Sequence, residues 1–350
     1  MRSTDNEKTA PKPGSGATSG DEPLTVVSVL LVMLTVVLWA GTPVAIRFST
    51  DLLPPFSVSG IRFSLAALFM LAWTRAHGTS VKLPQENARL PMIAGFLMFL
   101  QIGTFTLGVH LSNASHGSIF INTFIFWIVA IEHFVMKSSR LTMRKSVGLI
   151  LAAVGVALVL KSAEQSAEVV VEEAATIEGD LLLLLSALLL GIKIAWTKHS
   201  VKTVHPDCFI FWHHVFGVIL FAFYGAIVER FDPQILIELS RDDVQAAWWG
   251  LLYQGLAVAG LCFAIQARLL KKHVASRISV FSFATPLFGI LFAVLLRGDP
   301  LSPWLFVAGV AVAAGILLVN LDDRKSTEAD SQTDRTDPTQ LSGGSTSGSR

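Results

Sequence analysis

The chain has 350 residues, of which 52% are apolar and 15% are charged, and its formal net charge is +1. Its mean hydropathy of +0.58 excludes an ordinary soluble domain, in which about a quarter of the residues are charged. The composition indicates a membrane protein.

Ten stretches are apolar enough to cross a bilayer, which takes about 20 residues of helix. In chain order they are 24–46, 55–74, 90–111, 114–136, 143–160, 180–197, 208–228, 244–265, 278–296 and 303–321. The connections between them are too short to hold a soluble domain. The sequence therefore predicts an all-α membrane protein with ten transmembrane helices.

The second half of the chain repeats the first. Pro55 returns as Pro206, and the pair Arg62-Phe63 returns at the same spacing as the pair His213-His214. Each copy carries five predicted spans, and an odd number of spans makes the two copies cross the membrane in opposite directions. We therefore predict two inverted five-helix repeats. The predicted boundaries are 1–22 for a disordered tail, 24–160 for the first repeat, 161–179 for an acidic linker, 180–321 for the second repeat and 322–350 for another disordered tail.

Basic residues concentrate in alternate loops, as in 137–145 and 268–277, whereas the 161–179 linker is rich in glutamate. Short loops rich in Lys and Arg remain on the cytoplasmic side of a membrane. The pattern predicts a multi-pass protein of the cell membrane with both termini in the cytoplasm and the acidic linker outside.

Several segments resemble the EamA-type branch of the drug/metabolite transporter superfamily. They are Trp39-Ala40-Gly41-Thr42-Pro43-Val44-Ala45-Ile46-Arg47, Glu178-Gly179-Asp180, Val274-Ala275-Ser276-Arg277, Thr285-Pro286-Leu287-Phe288 and Gly298-Asp299. The resemblance implies two inverted five-helix repeats around a central substrate cavity and movement of small metabolites or drugs, often outward. The chain departs from the family pattern at Ile125, at Lys137-Ser138, at Lys193 and at the histidine pair.

Polar and aromatic side chains inside the spans are the candidate substrate contacts. An amide or ammonium in hydrocarbon needs a partner or a wet cavity, and an aromatic ring in a cavity wall can stack on a substrate. The alternative is structural: amides join helices, tryptophans anchor at the interface and a lysine extends to the headgroups. The candidates are Trp39, Thr42, Gln101, Asn122, Lys193, Trp196 and Gln254.

Three ionisable residues are candidates for coupling. Arg62, counted from the outer end of its span, is expected to attract anions at the outer mouth or to bond helix-end carbonyls. Glu132 and His213, counted from the inner ends of theirs, are expected near Lys193, with Glu132 as a titrating acid and His213 as a proton relay. In the alternative, Glu132 pairs with a nearby base.

Two prolines and two stripes of small residues have expected structural roles. Pro43 and Pro286 fall inside spans, where proline bends a helix, and the bends act either as gating points or as packing kinks. The small residues recur at spacings of three or four, which permits close helix contact. They predict packing of the fifth helix on the tenth, or a homodimer; they are Gly148, Ala152, Gly155, Ala308, Ala311 and Gly315.

The sequence has no phosphate loop, no His-Glu-x-x-His site and no Gly-x-Ser-x-Gly elbow. We therefore predict no enzyme activity, cofactor or resident metal, and no nucleic-acid partner. The favoured hypothesis is a secondary transporter by alternating access that exports an amino acid-like or other small organic compound, with proton coupling open. The alternatives are an uncoupled facilitator or channel, and a lipid-modifying membrane enzyme using Glu132 with His133.

Overall fold

The computed structural model describes residues 24–83, 85–131, 134, 142–167, 175–201, 203–230, 245–272, 280–299 and 303–318. Over these residues the chain is helical and contains no strand. Each of the ten predicted spans contains a helix, so the expected all-α membrane fold is confirmed. Both tails and Glu132 lie outside the described residues.

The first repeat contains seven described helices. They are α1 (Val26–Ala40), α2 (Thr42–Thr50), α3 (Pro55–Ala76), α4 (Arg89–Leu111), α5 (Ala114–Asn122), α6 (Phe124–Ala130) and α7 (Met143–Ala167). The predicted first span is thus α1 followed by α2, and the predicted fourth span is α5 followed by α6.

The second repeat begins with α8 (Ile177–Ser200) and α9 (Pro206–Ile227). Its eighth span is α10 (Gln245–Leu252), a π-helical stretch (Tyr253–Cys262) and α11 (Phe263–Lys272). The ninth span is a 3₁₀ turn (Val280–Phe283) followed by α12 (Ala284–Arg297). The last helix is α13 (Pro303–Leu318).

Five helical segments are long and apolar enough to cross a membrane: Val26–Thr50, Pro55–Ala76, Gln85–Leu111, Pro206–Ile227 and Gln245–Gln266. Shorter apolar helices include Ala284–Arg297 and Pro303–Leu318. Large apolar side chains on their outer faces are exposed, among them Leu68 and Phe223 at 64% and 66%. Such surfaces are typical of helices in contact with lipid, where backbone groups bond within the helix and apolar side chains face outward.

The two intramembrane prolines both lie at the start of a helix. The chain leaves helical hydrogen bonding at Gly41, and Pro43 falls in the first turn of α2. Pro286 falls in the first turn of α12, directly after the 3₁₀ turn. Proline costs little there, because the first-turn N–H groups have no partner within the helix. Each predicted bend is therefore realised as an interruption just before the proline.

The repeat-equivalent helices α3 and α9 run antiparallel across each other. Both have 22 residues and both begin at a proline. The start of α3 meets the end of α9, where Ser57 N donates to Glu229 Oε2 at 2.8 Å. The opposite ends meet where Thr79 Oγ1 donates to Asp207 Oδ2 at 3.3 Å. Antiparallel contact between equivalent helices is the arrangement that inverted repeats require.

Further contacts join the two repeats along their length. Helix α4 packs antiparallel on α8, with Gln101 beside Ser186 and the Leu90 carbonyl accepting from Trp196 Nε1 at 3.0 Å. Helix α2 packs on α10, where Ser49 Oγ donates to the carbonyl of Ala247 at 3.4 Å. The interior is thus an interface between the repeats.

The small-residue stripes of α7 and α13 pack on each other. A methyl group added at Gly155 would lie 3.1 Å from the carbonyl oxygen of Ala308, and one added at Gly315 would lie 2.7 Å from that of Gly148. The backbones approach this closely because these positions have no side chain. Of the two expected roles, the structure places these stripes in the contact between the fifth and tenth spans of one chain.

Candidate functional site

Helices α3 and α9 cross near Arg62, His213 and His214, and Lys193 of α8 lies within electrostatic range of all three. We call Arg62, Lys193, His213 and His214 the central polar cluster. Their exposed fractions are 4%, 6%, 4% and 0%. Counting from helix ends placed Arg62 at the outer mouth and Lys193 near the inner one; the structure places them in one cluster.

The lysine is held by an amide and not by a carboxylate. Lys193 Nζ donates to Gln101 Oε1 at 2.6 Å, and Gln101 Nε2 donates to Ser186 Oγ at 3.1 Å. Ser186 Oγ in turn donates to the backbone carbonyl of Gln101 at 2.8 Å. Within the described part of the chain, no ion pair joins Arg62 or Lys193 to an acid. Among the described residues, no paired carboxylate therefore balances the positive charge of Arg62 and Lys193.

Several polar atoms of the cluster have no protein partner among the described residues. They are Nε and Nη1 of Arg62, Nε2 of His213, and both ring nitrogens of His214. A buried polar atom without a hydrogen bond costs about 1–3 kcal/mol. Such atoms are rare in folded proteins and each needs an explanation. In a polar interior between two repeats, the explanation we favour is that they meet a ligand.

A row of aromatic rings continues from the cluster. The ring of His214 lies 5.3 Å from that of Phe63 and 5.6 Å from that of Phe263, and Phe263 lies 6.4 Å from Trp39 in an edge-to-face arrangement. The Arg62 guanidinium carbon is 5.0 Å from the centroid of the Phe63 ring. Trp39 and Phe263 are only partly buried, so this row combines an apolar wall with a cation at one end.

Helices of the first and eighth spans add two more polar groups. Gln254 Nε2 donates to the Ala45 carbonyl at 2.9 Å and to Ser49 Oγ at 3.1 Å, while its Oε1 has no partner among the described groups. The buried Thr42 Oγ1 is likewise unpartnered in that set. Gln254 lies in the π-helical stretch, a distortion that often marks functional sites. The hydroxyl of Tyr253, next in the chain, donates to the carbonyl of Leu38.

The other predicted site residues lie elsewhere. Asn122 Nδ2 donates to the Ser118 carbonyl within its own helix at 2.7 Å. Trp196 donates to α4 and packs in an apolar cluster with Phe209 and Met70, so its described contacts are structural. Glu132 lies outside the described residues.

The sequence did not reveal a set of polar contacts at the end of the bundle predicted to be extracellular. Glu229 accepts from Phe56 N and Ser57 N, each at 2.8 Å, and from Ser57 Oγ at 2.7 Å, at the start of α3. Arg297 Nη1 donates to Asp51 Oδ2 at 2.7 Å. A carboxylate at a helix start is favoured by the free N–H groups and the helix dipole.

The start of α5 is held by two more carboxylates. Asp180 accepts from Ser112 Oγ at 2.7 Å and lies 2.9 Å from His116 Nδ1. Asp299 Oδ2 accepts from Ser115 N at 2.9 Å. With Glu229 and Arg297, these residues form what we call the outer contacts, each of which joins one repeat to the other. Asp180 and Asp299 lie in segments that carried the family resemblance. That resemblance was the only feature of the sequence that pointed to these two residues.

Comparison with known proteins identifies the family of this chain. Residues 26–161 and 177–321 match the EamA-like transporter family. The chain belongs to the EamA-like transporter family. The match covers both repeats, and it identifies a multi-pass membrane protein that transports small metabolites.

Individual proteins are similar to this chain over nearly their whole length. The uncharacterized transporter YoaV of Bacillus subtilis (strain 168) is 23% identical over 83% of this chain and 96% of that protein. A protein of Salmonella typhimurium (strain LT2) named "Probable amino-acid metabolite efflux pump" is 23% identical over 82% of this chain and 93% of its own. A solved crystal structure with 19% identity has a TM-score of 0.60 and covers 85% of this chain and 98% of that one. The family and these names point to transport and not to catalysis.

Proposed function

We propose that this protein is a secondary transporter that exports an amino acid-like or other small organic compound by alternating access. The central polar cluster holds the substrate. The observation that carries this proposal is a set of polar atoms on Arg62, His213 and His214 that are buried where α3 crosses α9 and have no partner among the described residues. A permanent structural core would leave few such atoms unpaired.

The position of the cluster supports alternating access. Helices α3 and α9 are equivalent members of inverted repeats, and such repeats rock against each other around a midplane site. The outer contacts all join one repeat to the other, as Glu229 does with α3 and Arg297 with Asp51. Rocking that opens the outer end must break them. The described arrangement therefore corresponds to a state closed at the outer end.

The direction and the substrate class rest on a relative. The Salmonella protein is named "Probable amino-acid metabolite efflux pump", and the two chains align over most of their lengths. From this relative we infer that the chain exports a related compound across the cell membrane.

Coupling to protons is part of the same proposal. Lys193 is bound to a neutral amide, and the two imidazoles lie within electrostatic range of it. A proton gained or lost by any of these groups would change the charge that faces the substrate. Glu132 remains our candidate for a titrating acid. Binding of substrate and of proton would then be linked through shared electrostatics.

Counterflow in proteoliposomes tests the proposal. Purified full-length protein is loaded with one unlabelled amino acid or organic acid at a time, and uptake of the labelled compound is followed with and without a pH gradient. A coupled carrier gives counterflow that the gradient drives further. Lys193→Met should lose the gradient effect, whereas Lys82→Met, on an exposed lysine, should not.

Two results would contradict the proposal. Flux without counterflow indicates a channel, and counterflow that the pH gradient does not change indicates an uncoupled facilitator. Release of a lipid headgroup or acyl chain by the purified protein, abolished by Glu132→Ala, indicates the enzyme alternative.

A further inference from the structure

The charge balance of the central polar cluster restricts what can bind there. Arg62 and Lys193 contribute two basic groups close to each other, and the described residues contribute no carboxylate that pairs with either. Gathering like charges in a buried place is unfavourable unless an anion joins them. An anionic group on the substrate would supply a negative charge that the described residues do not.

The donors available in the cluster fit a carboxylate. Nε and Nη1 of Arg62 are N–H donors without a protein partner, and guanidinium groups bind carboxylates with strong, directional hydrogen bonds. His213 Nε2 and one nitrogen of His214 can each donate in the appropriate tautomer. A carboxylate accepts several such bonds at once because each of its oxygens has two lone pairs.

The remainder of the substrate meets the aromatic row. Phe63 lies beside Arg62, and the rings of His214, Phe263 and Trp39 follow at centroid separations of 5.3 to 6.4 Å. An apolar or aromatic body gains favourable contact against such a wall. An ammonium group on the substrate would be repelled by Arg62 and Lys193.

We propose that the substrate is a small organic carboxylate with an apolar or aromatic body and no free ammonium group, its carboxylate bound by Arg62 and the histidine pair. This inference rests on the proposed function and narrows its substrate class. Within the amino acid-like and other small organic compounds of the proposed function, the site should bind acids without an amino group more tightly than amino acids.

Calorimetry on the purified full-length protein tests the binding step with three probes of similar size. They are 3-phenylpropionate, its neutral amide 3-phenylpropionamide, and L-phenylalanine. A hydrogen bond to a charged group contributes about 1.5–3 kcal/mol, which corresponds to about 10- to 100-fold in affinity. We therefore expect 3-phenylpropionate to bind at least about tenfold more tightly than either other probe.

Variants of Arg62 test whether this residue causes the preference for the acid over the amide. Arg62→Gln should reduce the preference for the acid over the amide to about one, and Arg62→Lys should restore part of it. Arg75→Gln, on an exposed arginine of the same helix, should leave the preference unchanged. If Arg62→Gln does not yield a monodisperse protein, the preference of the parent protein for the acid over the amide is the test of the carboxylate site.

Each outcome separates the two proposals. Equal binding of acid and amide, tighter binding of L-phenylalanine, no binding of the acid, or an unchanged preference in Arg62→Gln would overturn the carboxylate site. Counterflow of a neutral or cationic compound would still support the transporter in those cases. A carboxylate that binds as expected but never moves in proteoliposomes would retain the site and contradict the transport proposal.

Discussion

The ring of Phe63 lies 5.3 Å from the ring of His214, the residue in the same position of the second repeat. Two equivalent residues can touch only near the axis that relates their repeats. The contact therefore places that axis at the crossing of α3 and α9. Arg62 and His213, their neighbours in the chain, are brought to the same place, so the buried ionisable groups lie at the centre of the molecule.

The amide that holds Lys193 gives a first prediction. Gln101→Leu leaves Lys193 Nζ without its described partner and should lower the free energy of unfolding by about 1–3 kcal/mol. The double variant Gln101→Leu/Lys193→Met replaces both partners by apolar groups and should recover most of this loss, because two matched apolar groups replace a bonded pair at little cost. Denaturant unfolding in detergent, followed by tryptophan fluorescence, measures both.

The control is Gln101→Leu combined with Lys82→Met, on an exposed lysine. This pair should show the full loss of Gln101→Leu alone. Recovery by both double variants to the same extent would show that Lys193 and Gln101 are not coupled.

Glu229 gives a second prediction. Its carboxylate accepts three hydrogen bonds at the start of α3, and loss of a helix cap costs about 0.5–2 kcal/mol. Glu229→Gln removes the charge that favours the helix start and should lower the unfolding free energy by about 1 kcal/mol. It should also raise the labelling rate of a cysteine placed at the buried Leu53, because the outer end opens more readily.

Glu86→Gln, on an exposed glutamate, serves as the matched substitution and should change neither quantity. A Glu229→Gln protein as stable and as slowly labelled as its parent would mean that this contact does not hold the outer end closed.

The distribution of spans and the inversion of the repeats were accessible from the sequence. Apolar runs report span positions because bilayer thickness fixes their length, and five spans per copy dictate opposite insertion. Pro55 and Pro206 marked the starts of equivalent helices for the same local reason, since proline favours the first helical turn. The interruption after Gly41 depends instead on packing between spans, which no local pattern reports.

Only some of the site residues could be identified from the sequence. Arg62, Lys193 and His213 could be selected because an ionisable group inside a span is costly and needs a reason. Their grouping could not, because depth counted along each helix ignores how helices tilt and cross. Phe263 and Tyr253 were missed since an aromatic residue near a site has the same sequence pattern as one in a packed core.

The contact between α7 and α13 gives a third prediction. A Cβ at Gly155 would lie 2.8 Å from the Cγ2 atom of Val312, so Gly155→Val should overpack this contact and lower the unfolding free energy by about 1–3 kcal/mol. Ala153→Val, on an exposed position of the same helix, should have little effect. Thermal unfolding in detergent and light scattering are measured together. A Gly155→Val protein that keeps its stability and loses only a dimer would assign the stripe to a contact between protomers.

The antiparallel crossing of α3 and α9 predicts which ends of the protein share a membrane face. The turn before α3 and the end of α9 must lie on one side, and the loop after α3 on the other. Loop charge predicts that the first side is extracellular. In a background with Cys208→Ser and Cys262→Ser, single cysteines at Leu52 and Ser80, both exposed, test this with a membrane-impermeant maleimide. We expect Leu52→Cys to react in intact cells and Ser80→Cys to react only after permeabilisation. A cysteine at Ile227, at the end of α9, should behave like the one at Leu52. Labelling of Leu52→Cys and Ser80→Cys from the same side would contradict a span between them. Labelling of the Ile227 and Leu52 cysteines from opposite sides would contradict the inverted packing of α3 against α9. The central polar cluster depends on that packing.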